Sequence, residues 1–388
     1  MKLIFVSSGQ YPNGGAATNR HLAYAKGLME LGHEVEFLLL SKQLWSEIVP
    51  DVDGIKFTCV YIQPANKPTK INKARSLFNS IGKANEKIIA AHKSGAIRAL
   101  IILDVSAPIL IPLLRNAKKL RLKVFHERTE YPFVVSSKTI PGKIDLYIYL
   151  KFLIKKFDGI YVINNALKNY FTAITNNKVP VIVINMIVDP ARFECNRLAG
   201  EKTIITFCGS LDGDKDGVPI LIESFAMIAE EFPSLKLQLI GSLNKEATRQ
   251  SIEGLIQKLQ IKDRVIVTGS VKRDAVPALL CNSDILALAR PANKQAEGGF
   301  PTKLGEYLAT GNTVVVTNVG EIGLFLKDKV NAFISEPGNP GKFSEKLREA
   351  LLDNNSGRIG AEGKKLVYDE FNYLTQARVL EKLFLEIK

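Results

Sequence analysis

Between Arg290 and Val319 the chain sets two carboxylates, Glu297 and Glu306, around a glycine-bearing loop that closes in Phe300-Pro301-Thr302. A carboxylate accepts paired hydrogen bonds from vicinal sugar hydroxyls, and the free N–H groups at a helix start receive phosphate. Two acids around such a helix start therefore suit a sugar nucleotide. Taken singly, each has a plainer reading, a solvated loop acid and a surface helix acid.

The setting favours the first reading. The apolar run 285–289 reads as a buried strand. From Lys303 the apolar residues Leu304, Tyr307 and Leu308 recur at i, i+3 and i+4, one face of a short helix. Gly311 ends that helix, and the β-branched run 313–317 is the next strand. Strand, loop, helix start and strand, in that order, bring N–H groups to the carboxyl edge of an open α/β sheet, where ligands bind.

The segment resembles the signature of family-4 glycosyltransferases, whose pattern is E-x7-E with a Phe-Pro or Phe-Gly pair between the acids and an L-x-E-x-x-A-x-G helix after. Phe300, Pro301, Leu304, Glu306, Ala309 and Gly311 match. The first acid departs: counting back from Glu306 lands on Gly298, with Glu297 one place early. The resemblance implies an α/β protein of the GT-B fold, two Rossmann-like domains facing each other across a cleft. It also implies that Glu306 holds the donor's ribose, that Glu297 meets the sugar, and that Gly299, Phe300, Pro301, Thr302 and Lys303 line the phosphate turn.

Other stretches fall in the same order as in that family. Gly14-Gly15 opens the helix after the first strand, although it is not a G-x-G-x-x-G dinucleotide fingerprint. By resemblance this loop approaches the donor phosphates. The loop GSLDGDKDG, 209–217, carries Ser210 where the family has arginine and keeps one cation, Lys215. That leaves Lys215 as the expected phosphate ligand, offsetting charge on the leaving group. The same loop satisfies the EF-hand expression through Asp212, Asp214, Asp216, Gly217 and Glu223, but a strand rather than a helix precedes it, which argues against calcium. The turn at Val271 is expected to cradle the base through backbone groups. HERTEYP, 126–132, puts four ionisable groups at a strand's carboxyl end, and His126 is the member expected to reach donor or acceptor.

At 388 residues the chain fits two domains of about 190. The polar stretch 196–202, after the family-like turn Val188-Asp189-Pro190-Ala191-Arg192-Phe193, places the boundary. The expected division is 1–195, binding acceptor, and 196–388, binding nucleotide sugar, with the last helix returning towards the first domain. The charge is uneven. Residues 1–190 hold 26 Lys and Arg against 13 Asp and Glu, whereas 191–388 hold 26 of each, so the whole excess lies in the first half. A cationic face of that kind suits an anionic membrane surface or a phosphate-bearing acceptor, and no nucleic-acid motif accompanies it. The amphipathic stretch 143–157 gathers Ile144, Tyr147, Ile148, Leu153 and Phe157 on one side and four lysines elsewhere. Core packing and interfacial membrane binding both account for it.

Cys59, Cys195, Cys208 and Cys281 are far apart with no C-x-x-C pair, which argues against disulfides and thiolate metal sites and suits a reducing cytoplasm. The opening apolar run is too short for a signal peptide, and the longest apolar tract, 99–114, contains Asp104, Pro108 and Pro112 and cannot span a bilayer as a helix. The expected protein is cytoplasmic, peripheral at most. The resemblance implies a retaining glycosyltransferase using a nucleoside-diphosphate sugar, no metal cofactor, and a surface-polysaccharide, lipopolysaccharide or lipid-linked acceptor. A sugar-nucleotide epimerase of the same architecture and a catalytically silent binding subunit are the alternatives.

Overall fold

The computed structural model describes residues 1–45, 52–64, 69–135, 138–195 and 203–386. The chain divides into two compact units, Met1–Ile187 with Tyr373–Lys388, and Val188–Asn372. Val188 pairs with the end of the second unit, its N–H donating to the Phe371 carbonyl at 2.9 Å. The stretch 188–195, expected in the first half, therefore packs with the second.

In the first unit seven strands form one parallel sheet: β1 (Lys2–Ser7), β2 (Glu34–Leu39), β3 (Lys56–Cys59), β4 (Ile97–Ile102), β5 (Lys123–Arg128), β6 (Gly159–Val162) and β7 (Val181–Val183). Their order is β3-β2-β1-β4-β5-β6-β7. Runs such as LIFV in β1 and ALII in β4 are apolar on both faces because helices cover both faces of a parallel sheet. Phe5, Phe37, Phe125 and Tyr161 of the strands meet Tyr24 and Leu28 of the helix Ala16–Glu30, and Leu380 and Phe384 of the terminal helix Tyr373–Glu386 close the same core.

The second unit repeats the plan with β8 (Ile204–Cys208), β9 (Lys236–Ile240), β10 (Val265–Gly269), β11 (Ile285–Leu288), β12 (Thr313–Thr317) and β13 (Phe333–Ser335). The order is β10-β9-β8-β11-β12-β13, again all parallel. In each unit the strand order reverses once, beside β1 and beside β8. Ligands of open α/β sheets bind at the carboxyl ends beside such reversals.

Cysteine spacing misled. Cys195 and Cys281 form a disulfide with their Cα atoms 5.2 Å apart, while Cys59 and Cys208 are free thiols. The bridge ties the segment after Val188 to the helix Val276–Cys281, a neighbour visible only once the sheet is assembled. The pairing also withdraws the cysteine argument for a reducing compartment. Among the described residues no helix is long and apolar enough to cross a membrane.

Candidate functional site

In the second unit the loops leaving β8 and β11 converge on the start of the helix Thr302–Thr310. Its first N–H groups receive no side-chain cap from Pro301. Tyr307, read from the sequence only as an apolar contact, has a second task. Its hydroxyl accepts from the Cys208 N–H at 2.6 Å and donates to the Cys208 carbonyl at 3.2 Å, so the helix is pinned to the end of β8. Phe300 anchors the approach by packing on Phe325 and Phe371, ring centres 5.8 and 6.0 Å away.

Lys303 is the centre of the arrangement. Its ammonium pairs with the Asp216 carboxylate and lies 5.1 Å from the Phe207 ring centre. Gly209 makes room for it, since a Cβ there would stand 2.6 Å from Cε and 2.8 Å from Nζ of Lys303. Burial lowers the Lys303 pKa, the nearby charges of Arg290 and Lys215 lower it further, and Asp216 opposes them. The charges of Lys215 and Arg290 thus act on Lys303. Arg290 is buried at the end of β11, and its own carbonyl accepts from Thr317 Oγ1 at 2.6 Å.

The loop 209–217 reaches this place through Gly217, which has φ +69° and would drive a Cβ to 1.9 Å from the Ala289 carbonyl oxygen. Only glycine meets both conditions. The EF-hand expression is a coincidence of spelling: β8 precedes the loop, and Asp212 instead accepts the N–H groups of Asn244 and Lys245 at 2.9 and 3.0 Å. Ser210 is exposed and its hydroxyl accepts from the Asp212 N–H at 3.2 Å, a local turn contact.

One turn beyond Lys303, Glu306 is mostly buried, with Arg192 Nη1 3.5 Å from its Oε1. Burial raises the Glu306 pKa, and Arg192, Arg273 and Lys303 pull it back. Arg192 also donates to the Arg273 carbonyl at 3.3 Å. Its place in the family-like turn gave no hint of this contact. Glu297 stands apart. It ends the helical turn Lys294–Glu297, is exposed, and pairs with Lys294 at 2.7 Å. Gly299 and Pro301 are buried behind the turn, Thr302 is partly covered, and Val271 lies in the loop after β10 at the sheet's far edge.

The first unit corrects the reading of 126–132. His126 is fully buried; its Nδ1 meets the Ile102 carbonyl at 2.6 Å, its Nε2 the Tyr149 hydroxyl at 2.9 Å, and Phe157 stacks on it with centroids 4.4 Å apart. Burial, with Arg128 adding, lowers its pKa to about 3. Both nitrogens are occupied, so His126 is a core residue and not a ligand for donor or acceptor. Side chains alternate along a strand, and β5 presents Glu127 to the opposite layer. There Glu127 binds Arg20 Nε at 2.7 Å and His21 Nε2 at 2.6 Å, while Tyr11 Oη lies 2.5 Å from His21 Nδ1. Despite burial, His21 and Arg20 lower the Glu127 pKa to about 2. Arg20 also donates to the carbonyls of Ile184 and Asn185.

This network holds the helix beginning after Gly14-Gly15 against the sheet. A Cβ on Gly14 would meet Thr18 Oγ1 at 2.0 Å and the Gln10 carbonyl at 2.3 Å, whereas Gly15, the N-cap, faces open space. The loop before it is tied across the sheet by the Ser8 N–H donating to Asp104 at 2.9 Å.

Residues 189–366 match the family model for glycosyl transferases group 1. The chain's fold is GT-B, that of sucrose-phosphate synthase from Thermosynechococcus elongatus (TM-score 0.76, 16% identity, 99% of this chain and 98% of that one). Anabaena HepE in complex with UDP and glucose is similarly alike (TM-score 0.75, 15% identity, 100% of both chains). An uncharacterized glycosyltransferase of Methanocaldococcus jannaschii is 26% identical over 231 residues, 55% of this chain and 56% of the relative. The chain thus spans little more than half the length of the curated relative it matches.

Proposed function

We propose that the protein is a retaining glycosyltransferase that takes a sugar from a nucleoside diphosphate and passes it to a surface-polysaccharide, lipopolysaccharide or lipid-linked acceptor. The observation that carries the reading is the Lys303 ammonium at the start of the Thr302–Thr310 helix, paired with Asp216 of the 209–217 loop and packed against Gly209. A diphosphate placed there meets that ammonium and backbone N–H groups together. As the bond from the anomeric carbon to the diphosphate oxygen breaks, the electron pair leaves with the diphosphate, and these groups offset the charge that appears. No divalent cation is called upon.

Glu306, one turn along the same helix, is the acceptor for ribose hydroxyls, with Arg192 holding the carboxylate until the donor arrives. Val271 and its neighbours receive the base. Support comes from HepE, which binds UDP and UDP-glucose on the same fold. The second unit takes the donor; the basic first unit faces the acceptor and an anionic surface on the cytoplasmic side of a membrane. Front-face departure and attack need no protein nucleophile, which accords with Glu297 engaged at the surface by Lys294.

A thermal-shift screen of UDP-, GDP- and ADP-sugars tests the reading, because a ligand of the native state raises apparent stability by mass action. One donor class is expected to raise the melting temperature and to release free nucleoside diphosphate on turnover. Lys215→Ala is expected to lower that turnover at least about tenfold, some 1.4 kcal/mol at the transition state. An epimeric sugar nucleotide without free diphosphate would assign an epimerase, and binding with no turnover of any donor a silent subunit.

A further inference from the structure

The stretch 143–157 admits two readings, core packing and interfacial binding, and its buried and exposed residues divide between them. The helix Ile140–Ile148 runs into a π-turn, Tyr149–Leu153, and a 3-10 turn, Ile154–Lys156. Tyr149, Leu153, Ile154 and Phe157 are buried and hold the segment on the first unit. The wider π-turn shifts the helical phase, and the residues before it keep an outward stripe. Ile140, Ile144 and Tyr147, at i, i+4 and i+7, are 75%, 54% and 54% exposed, and Phe152 is 51% exposed. Leaving that much aliphatic and aromatic surface in water costs free energy that a partner would recover.

Charge identifies the partner. Lys143, Lys151, Lys155 and Lys156 are all exposed on this short segment. The one acid among them, Asp145, is turned inward, accepting from the Ala107 N–H at 2.7 Å. Lys151 donates to the Tyr147 hydroxyl at 2.5 Å and lies 5.0 and 5.6 Å from the ring centres of Tyr147 and Phe152. Apolar side chains with aromatic rings and lysine ammonium groups at their margin match the depth profile of a lipid interface, acyl chain below and anionic headgroup above. A second copy would set four lysines against four in a two-fold contact, and a polyanion without an apolar layer would leave the isoleucines in water.

We propose that this helix is the element by which the protein rests on an anionic bilayer, with Ile140, Ile144, Tyr147 and Phe152 entering the interface and the lysines binding headgroup phosphates. This names the surface through which the proposed transferase would reach a lipid-linked acceptor; it rests on that reading only for its purpose, since lipid binding is measured without donor.

Vesicle flotation of the full chain tests it, using phosphatidylcholine alone and phosphatidylcholine mixed with phosphatidylglycerol. Binding is expected to the mixed vesicles only and to weaken as salt rises. Ile144→Ser with Tyr147→Ser, and separately Lys151→Gln with Lys155→Gln, are each expected to weaken binding at least about tenfold. All four positions are exposed, and an unchanged melting temperature shows that each variant is folded. Equal binding to neutral vesicles, or undiminished binding by either variant, overturns the proposal. So does a dimer that the serine variant dissolves while no vesicle is bound. The donor-induced thermal shift, read on the same samples, reports on the transferase reading alone.

Discussion

Replacing Lys303 by methionine is expected to lower kcat/KM for sugar transfer by roughly a hundred- to a thousandfold, about 3–4 kcal/mol, the scale of losing one preorganised group that meets developing negative charge. Methionine fills the space of the lysine stem, so Gly209, where the 209–217 loop begins, keeps its neighbour. The change strands Asp216, whose buried carboxylate loses its ammonium partner. A stability loss is therefore expected alongside the catalytic one. Adding Asp216→Asn removes the stranded charge and should restore much of the stability without the activity. Near-normal turnover by that double variant, measured as nucleoside diphosphate released, would detach Lys303 from the diphosphate.

Glu127→Gln is expected to destabilise the first unit by about 3–5 kcal/mol, the usual consequence of breaking a buried ion pair from one side. Arg20 and His21 keep their burial but lose the carboxylate they share. For a unit of this size the melting temperature should drop by roughly 10 °C. The same carboxylate sets a pH dependence. Its native pKa of about 2 lies below its ordinary 4.5, so its contribution is complete above 4.5 and disappears as pH falls towards 2. His126 acts at higher pH. Held neutral with a pKa of about 3 against an ordinary 6.5, it adds stability that is lost as pH falls below 6.5, at up to about 1.4 kcal/mol per pH unit. Thermal melts from neutral pH to pH 3 should thus show a progressive decline that steepens below 4.5, with the steeper part absent in Glu127→Gln. A flat profile over that range would contradict the burial of His126 and the pairing of Glu127 with His21 and Arg20.

What the sequence disclosed about the site was its local part. The run from β11 through the Phe300-Pro301 turn to β12 is legible because period and punctuation act over a few residues, and Lys303 and Glu306 share a helix face by spacing alone. Asp216 fits the spelling of a calcium loop; the strand before it argues against calcium, but nothing local points to its pairing with Lys303. Arg192 beside Glu306, Arg20 on Glu127 and Cys195 with Cys281 join residues 114, 107 and 86 positions apart. Such contacts follow from which strands become neighbours, and local pattern carries no record of that.

His126 and Glu127 show a finer limit. Four ionisable residues at a strand end pointed to the correct edge of the sheet, yet the alternation that buries one against Phe157 and turns the next to Arg20 depends on which layer covers each face. The stretch 143–157 shows the opposite limit. Its period puts Ile144, Tyr147, Leu153 and Phe157 on one face, but the π-turn at Tyr149–Leu153 leaves the first two exposed and the last two buried, and period alone does not say which.

The central claim is that a nucleoside diphosphate sits at the start of the Thr302–Thr310 helix, between the ammonium groups of Lys303 and Lys215 and beside Glu306. A crystal of the protein soaked with UDP or GDP, whichever the thermal screen selects, tests it most directly. Diphosphate density is expected within hydrogen-bonding reach of the Thr302 and Lys303 N–H groups, with the ribose on Glu306. Ordered nucleotide elsewhere, with that helix start left in water, would contradict it.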